Sequence, residues 1–63
     1  MLGAERRNII EKEITERGSV LVAELAKKFD VTMETIRADL DKLEKQCILV
    51  RTYGGATIVD AAE

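Results

Sequence analysis

Two apolar stripes at helical spacing, separated by only a few residues, constrain this chain more than any other feature. Leu25, Ala26 and Phe29 stand at i, i+1 and i+4, Ile36 and Leu40 stand one turn apart, and Val31 lies between the two sets. An α-helix turns once in about 3.6 residues, so each set lines one side of a short helix. The link from Asp30 to Thr32 is too short for the second helix to do other than cross the first steeply. The small Ala26 lets the two axes approach. Asp30 tolerates a left-handed turn better than most side chains, and Thr32 is a good N-cap for the second of these helices. The pattern predicts helices over 22–29 and from 33 to about 46.

Other segments complete a plan. Ala4 to Arg17 reads as a first helix, with Ile10 and Ile14 one turn apart and Gly18 at the stop position. Ser19 to Leu21 is short enough to expect no more than a single strand bridge. On the third helix Ile36, Leu40, Leu43 and Cys47 fall within about 40° of one line at 100° per residue, and form its expected buried stripe. Glu34, Ala38, Asp41, Lys42 and Lys45 face the other way, with Thr35 and Arg37 on the flanks. Ile48 to Val50 and Ala56 to Val59 are β-prone runs on either side of a Gly54-Gly55 tip. Two helices over a tight turn followed by a hairpin make a winged helix-turn-helix, mainly α with a small β-hairpin. The expected domain spans 1–59, with the helix-turn-helix at about 20–40 and the wing at about 48–59.

Composition narrows the chemistry. The 63 residues contain no His, Pro or Trp and one Cys. A Ser–His–Asp triad, a Cys–His pair, an internal disulfide and a four-ligand zinc site all need residues this chain lacks. A small-molecule pocket of roughly 300–1,000 Å³ has little room in so short a helical chain. No enzyme activity and no cofactor are therefore expected. No apolar run approaches the roughly 18 residues of a membrane span, and Met1 to Asn8 lacks the apolar core of a signal peptide. A cytoplasmic location and no membrane partner are the expectation. The net charge is −2, with acids and bases interleaved and no basic block. Affinity for nucleic acid would have to come from a few placed cations rather than a basic patch.

The segments Gly18-Ser19-Val20, Glu24-Leu25-Ala26, Thr35-Ile36-Arg37, Asp39-Leu40, Leu43-Glu44 and Arg51-Thr52-Tyr53-Gly54-Gly55-Ala56, with Phe29 and Val31, carry a family resemblance. Together they resemble the N-terminal DNA-binding domain of the DeoR family of bacterial transcriptional regulators, from about Glu5 to Ala56. The resemblance implies a sequence-specific, double-stranded-DNA-binding module of a regulator, most often a repressor, of sugar and carbohydrate genes. It also implies a larger C-terminal domain that binds a phosphorylated sugar and forms homo-oligomers. On that reading residues 60–63 begin a linker to a domain outside this chain.

Site residues are assigned by placing the third helix in a major groove. Thr32 and Thr35 lie at its start, where a hydroxyl and backbone N–H groups can meet a phosphate. Arg37 has the reach for a phosphate or the O6/N7 edge of guanine, while Met33 and Ala38 can touch a thymine methyl. Lys42 suits a backbone phosphate. In the wing Arg51 supplies charge, Tyr53 a hydroxyl and a flat ring, and Gly54 a close backbone approach. Arg6 and Arg7 are cations at a helix start, an unfavourable place that a phosphate would explain. Asp39 sits near the core edge and is read as orienting an arginine: Arg6, Arg7 or Arg51. Three residues depart from the family pattern. Ala38 stands where a second Arg is usual, Cys47 where Gly is usual, and Tyr53 where His is usual. With the acidic balance, these predict weak binding by the isolated domain, and leave a winged helix for protein–protein contact as the alternative.

Overall fold

The computed structural model describes residues 2–59; the expected linker at 60–63 lies outside them. The order is α1 (Gly3–Arg17), β1 (Ser19–Leu21), α2 (Val22–Phe29), α3 (Met33–Lys45), β2 (Leu49–Thr52) and β3 (Gly55–Ile58). The fold is a winged helix-turn-helix, as the spacing of apolar residues requires. The three strands form one antiparallel sheet in the order β1-β3-β2.

Each boundary has a local cause. At the start of α1 the Glu5 carboxylate accepts from the Leu2 N–H at 3.2 Å. Gly18 ends this helix with φ 88°, and its N–H returns to the Ile14 carbonyl at 2.7 Å. Asp30 ends α2 in the left-handed region at φ 57°. The Thr32 Oγ1 then caps α3 by accepting from the Thr35 N–H at 3.1 Å. The C-terminus of α3 closes as a Schellman motif. Ile48 N–H donates to the Leu43 carbonyl at 3.1 Å, and Cys47 N–H to that of Glu44 at 2.9 Å.

The core draws on every element. Ile10 and Ile14 come from α1, Val22, Leu25 and Ala26 from α2, Ile36, Leu40 and Leu43 from α3, and Val20, Leu49 and Ala56 from the sheet. Each fully buried aliphatic side chain contributes roughly 1.5–3 kcal/mol relative to exposure. Phe29, Val31 and Ile48 pack half-buried around this cluster. Across the α1–α2 surface, Glu13 accepts from Lys28 Nζ at 2.6 Å and Arg17 Nη1 at 3.0 Å.

The structure corrects four expectations. Ser19–Leu21 is more than a bridge: Ser19, Val20 and Leu21 pair in register with Thr57, Ala56 and Gly55. Its partner strand is remote in sequence, and only packing of Val20 into the core brings the two together. Cys47 is not part of the buried stripe. The helix has ended at Lys45, Cys47 takes φ 63° and is exposed, and Ile48 turns back under the core instead. The hairpin tip is Tyr53-Gly54 rather than Gly54-Gly55, because Gly55 is already paired with Thr52 and Leu21 in the sheet. The last strand stops at Ile58, one residue before Val59.

Candidate nucleic-acid interface

Helix α3 divides cleanly by side. Ile36, Leu40 and Leu43 are 0–2% exposed, whereas Glu34, Arg37, Ala38, Asp41 and Lys42 are exposed. Met33 opens the helix 44% exposed. Arg37 takes part in no ion pair among the described residues. Its guanidinium therefore has no internal competitor for an outside acceptor. Thr32 and Thr35 share a hydroxyl–hydroxyl bond at 3.0 Å beside the cap. Only one hydroxyl hydrogen is used in that bond, so the pair still has a donor for an anion at the helix start.

Asp39 is the one buried polar side chain among the described residues, at 3% exposure. Arg6 binds it through Nε and, at 3.1 Å, through Nη2, while Arg7 Nη1 reaches it at 3.3 Å. Of the three arginines the sequence offered, the two on α1 hold the carboxylate and the strand arginine does not. The hydrogen bonds to Asp39 raise the Arg6 pKa above the ordinary arginine value, with burial opposing. α1 is thereby fastened to α3 by charge as well as by Ile10 and Ile14.

Arg51 turns toward α3. Its Nη1 donates to Asp41 Oδ1 at 2.5 Å and to the Arg37 carbonyl at 3.5 Å, and its backbone N–H donates to Glu44 Oε2 at 3.2 Å. Nε is buried without a partner among the described residues. Arg51, expected on DNA, lies at the root of the wing against Asp41 and Glu44, two acids that were assigned no role there. Opposite charges on either side of a helix–strand corner were the available signal. At the tip, Tyr53 is fully exposed and Gly54 has φ 84°. The Gly54 carbonyl accepts from Val22 N–H at 2.9 Å, so the tip is braced against the start of α2. Among the described residues there is no cavity, no acid, Cys or His cluster for a metal ion, and no helix long and apolar enough to cross a membrane.

A helix with an outward polar side, packed on a second helix and flanked by a braced hairpin, is the frame of a groove-reading domain. The sequence matches the DeoR-like helix-turn-helix domain over residues 6–62. The chain belongs to the DeoR-like family. It is a DNA-binding helix-turn-helix domain of the DeoR type. The uncharacterized HTH-type regulator YulB of Bacillus subtilis is 48% identical over the whole chain, which covers 24% of that protein. A putative aga operon transcriptional repressor of Escherichia coli O157:H7 is 48% identical over 92% of the chain and 22% of its own length. A putative galactitol utilization operon repressor of Escherichia coli K12 is 48% identical over 82% of the chain and 46% of its length. The chain thus spans less than half the length of these DeoR-type relatives. No solved structure matches it.

Proposed function

We propose that this domain binds operator DNA for a regulator, most simply a repressor, of genes for sugar or carbohydrate use. Relatives named as repressors of the aga operon, of galactitol utilization and of the glycerol-3-phosphate regulon support that reading. The observation that carries it is the free, exposed Arg37 on the outward side of a helix whose other side is sealed in the core. Helix α3 enters the major groove. Arg37 reads a guanine edge or grips a phosphate, and Met33 and Ala38 meet thymine methyls. Lys42, Thr32 and Thr35 bind the sugar–phosphate backbone, Arg6 and Arg7 sit within reach of it, and Tyr53 and Gly54 approach the flanking groove. Asp39 orients the two α1 arginines, and Asp41 holds Arg51 at the wing root. In the full-length regulator, oligomers bind repeated half-sites, and a sugar phosphate bound elsewhere in the protein tunes affinity.

Selection of bound duplexes from a random library tests this directly. A defined motif is expected, bound with an affinity that falls as salt rises, at a log–log slope of roughly −2 to −4 for a few neutralised phosphates. Arg37→Ala should weaken the selected site by about 1–3 kcal/mol. No motif, together with a flat salt response, overturns the proposal.

A further inference from the structure

The acid at the start of α3 has no assigned task. Glu34 is exposed and takes part in no ion pair or side-chain hydrogen bond among the described residues. The buried residues Ile36, Leu40, Leu43 and Asp39 define the inward side of the helix. At 100° per residue, Glu34 lies within about 20° of the direction opposite to them. Of the first-turn side chains it is the one aimed most directly outward. Asp41 points the same way but is occupied by Arg51.

A carboxylate in that place favours the helix N-terminus weakly through the macrodipole, an effect that falls off within the first turn and is screened by salt. That gain is small beside the repulsion it meets once the same helix end is laid among phosphates. An outward acid on a groove-reading helix is therefore a liability unless it accepts a hydrogen bond from the DNA. Major-groove base edges offer two donors, the cytosine N4 amino group and the adenine N6 amino group. Adenine places the N7 lone pair beside its donor, which repels a carboxylate. Guanine and thymine present only acceptors and a methyl group. Cytosine is the base whose own edge offers a donor with no acceptor next to it.

We infer that Glu34 is a specificity-determining residue that accepts from a cytosine N4 amino group and rejects the other three bases at one position of each half-site. This rests on the DNA-reading function proposed above. The residue acts by exclusion as much as by attraction. A mismatched base leaves a desolvated carboxylate facing an acceptor or a methyl group, which weakens the wrong sites more than it strengthens the right one.

The test is duplex selection with three forms of the chain: unsubstituted, Glu34→Ala and Glu34→Gln. The unsubstituted chain should enrich cytosine at one position. Glu34→Ala should lose that preference alone, keep the rest of the motif, and bind mismatched duplexes nearly as well as matched ones. Between matched and mismatched bases at that position, the unsubstituted chain should discriminate by roughly 5–150-fold. Glu34→Gln should move the preference toward adenine, whose N6 and N7 pair with an amide. A merely structural or repulsive acid would change affinity for every duplex alike and leave the motif intact; that result overturns the inference while sparing the DNA-reading function. Failure of the unsubstituted chain to enrich any motif removes both. Thermal melting of the two variants, expected within a few degrees of the unsubstituted chain, shows that a lost preference is not lost folding.

Discussion

Replacing Asp39 with Ala removes the acceptor shared by three guanidinium N–H groups: Arg6 Nε, Arg6 Nη2 and Arg7 Nη1. Breaking a fully buried ion pair by deleting one partner costs about 3–5 kcal/mol, because the other charge is stranded. Here the aspartate is buried, but the Arg6 and Arg7 side chains are 13% and 24% exposed. They can swing part-way into water, so the expected loss is smaller, about 2–3 kcal/mol. A domain this short has only about 3–5 kcal/mol to lose. At roughly 4–8 °C per kcal/mol, the melting midpoint should fall by about 10–20 °C. Thermal and urea unfolding followed by circular dichroism measure this, and Asp39→Asn, which keeps one acceptor, should fall between. Double-mutant cycles then assign the partners. Arg6→Ala should couple to Asp39→Ala by more than about 1 kcal/mol, Arg7→Ala by less, and Arg51→Ala by nothing beyond the roughly 0.5 kcal/mol scatter of independent sites. A midpoint moving by under about 3 °C, or Arg51 coupling as strongly as Arg6, would refute the reasoning.

Cys47→Gly should stabilise the domain by roughly 0.5–1 kcal/mol, since a side chain at φ 63° is strained and an exposed thiol gives up no packing; a lower melting midpoint would contradict this. The wing glycines should behave differently. A Cβ at Gly55 would lie 2.1 Å from the Val20 carbonyl oxygen, so Gly55→Ala must push β1 off β3. Gly54→Ala meets no atom within 4 Å and loses only about 1 kcal/mol through its φ of +84°. Equal melting midpoints for the two variants would show the sheet register to be wrong. Glu13 gives the pH dependence. The Lys28 hydrogen bond, aided by Arg17 and opposed by burial, holds its pKa below the ordinary 4.5. A carboxyl more acidic when folded adds stability above its unfolded pKa and loses it as pH falls through the folded value. The difference between the unsubstituted chain and Glu13→Gln, up to about 1 kcal/mol for such exposed partners, should be full above the ordinary carboxylate pKa and shrink as pH falls through the lowered folded value. A gap that persists at low pH would count against the ion pair.

The helices were legible because their signals are local. The stripe ending at Phe29, with Asp30 next, sets both ends of α2, and the Thr32 cap sets the start of α3. What escaped was non-local, or lay just past a boundary. The angular arithmetic that put Cys47 on the buried stripe assumes a helix that continues. The Schellman turn ends it at Lys45 and hands the inward place to Ile48. β1 has no periodicity to read in three residues, and its partner lies beyond α3 and β2 in the sequence. Of the interface, the outward set on α3 could be read from spacing alone. The partner of Asp39 could not: three arginines had the charge, and only the packing of α1 on α3 selects Arg6 and Arg7. The capture of Arg51 by Asp41 depended likewise on packing: the opposite charges were visible, but only the folded helix–strand corner brings them together.

These pairings also answer how a chain of net charge −2 can serve on DNA. Net charge counts every acid equally, but a phosphate near α3 does not. Asp39 is neutralised by Arg6 and Arg7, Asp41 by Arg51, and Glu13 by Lys28 and Arg17. Glu5, Glu11 and Glu16 are on α1 and Glu24 is on α2, not on the reading helix. Along α3 itself, Arg37, Lys42 and Lys45 are exposed and without ion-pair partners among the described residues, set against the exposed Glu34 and Glu44. Salt screens exposed charges beyond about 8 Å at physiological ionic strength, so it is this local surplus that a bound duplex senses. Such a surplus is small. On the function proposed above, it suits a domain that discriminates through a few well-placed contacts rather than through a broad electrostatic grip.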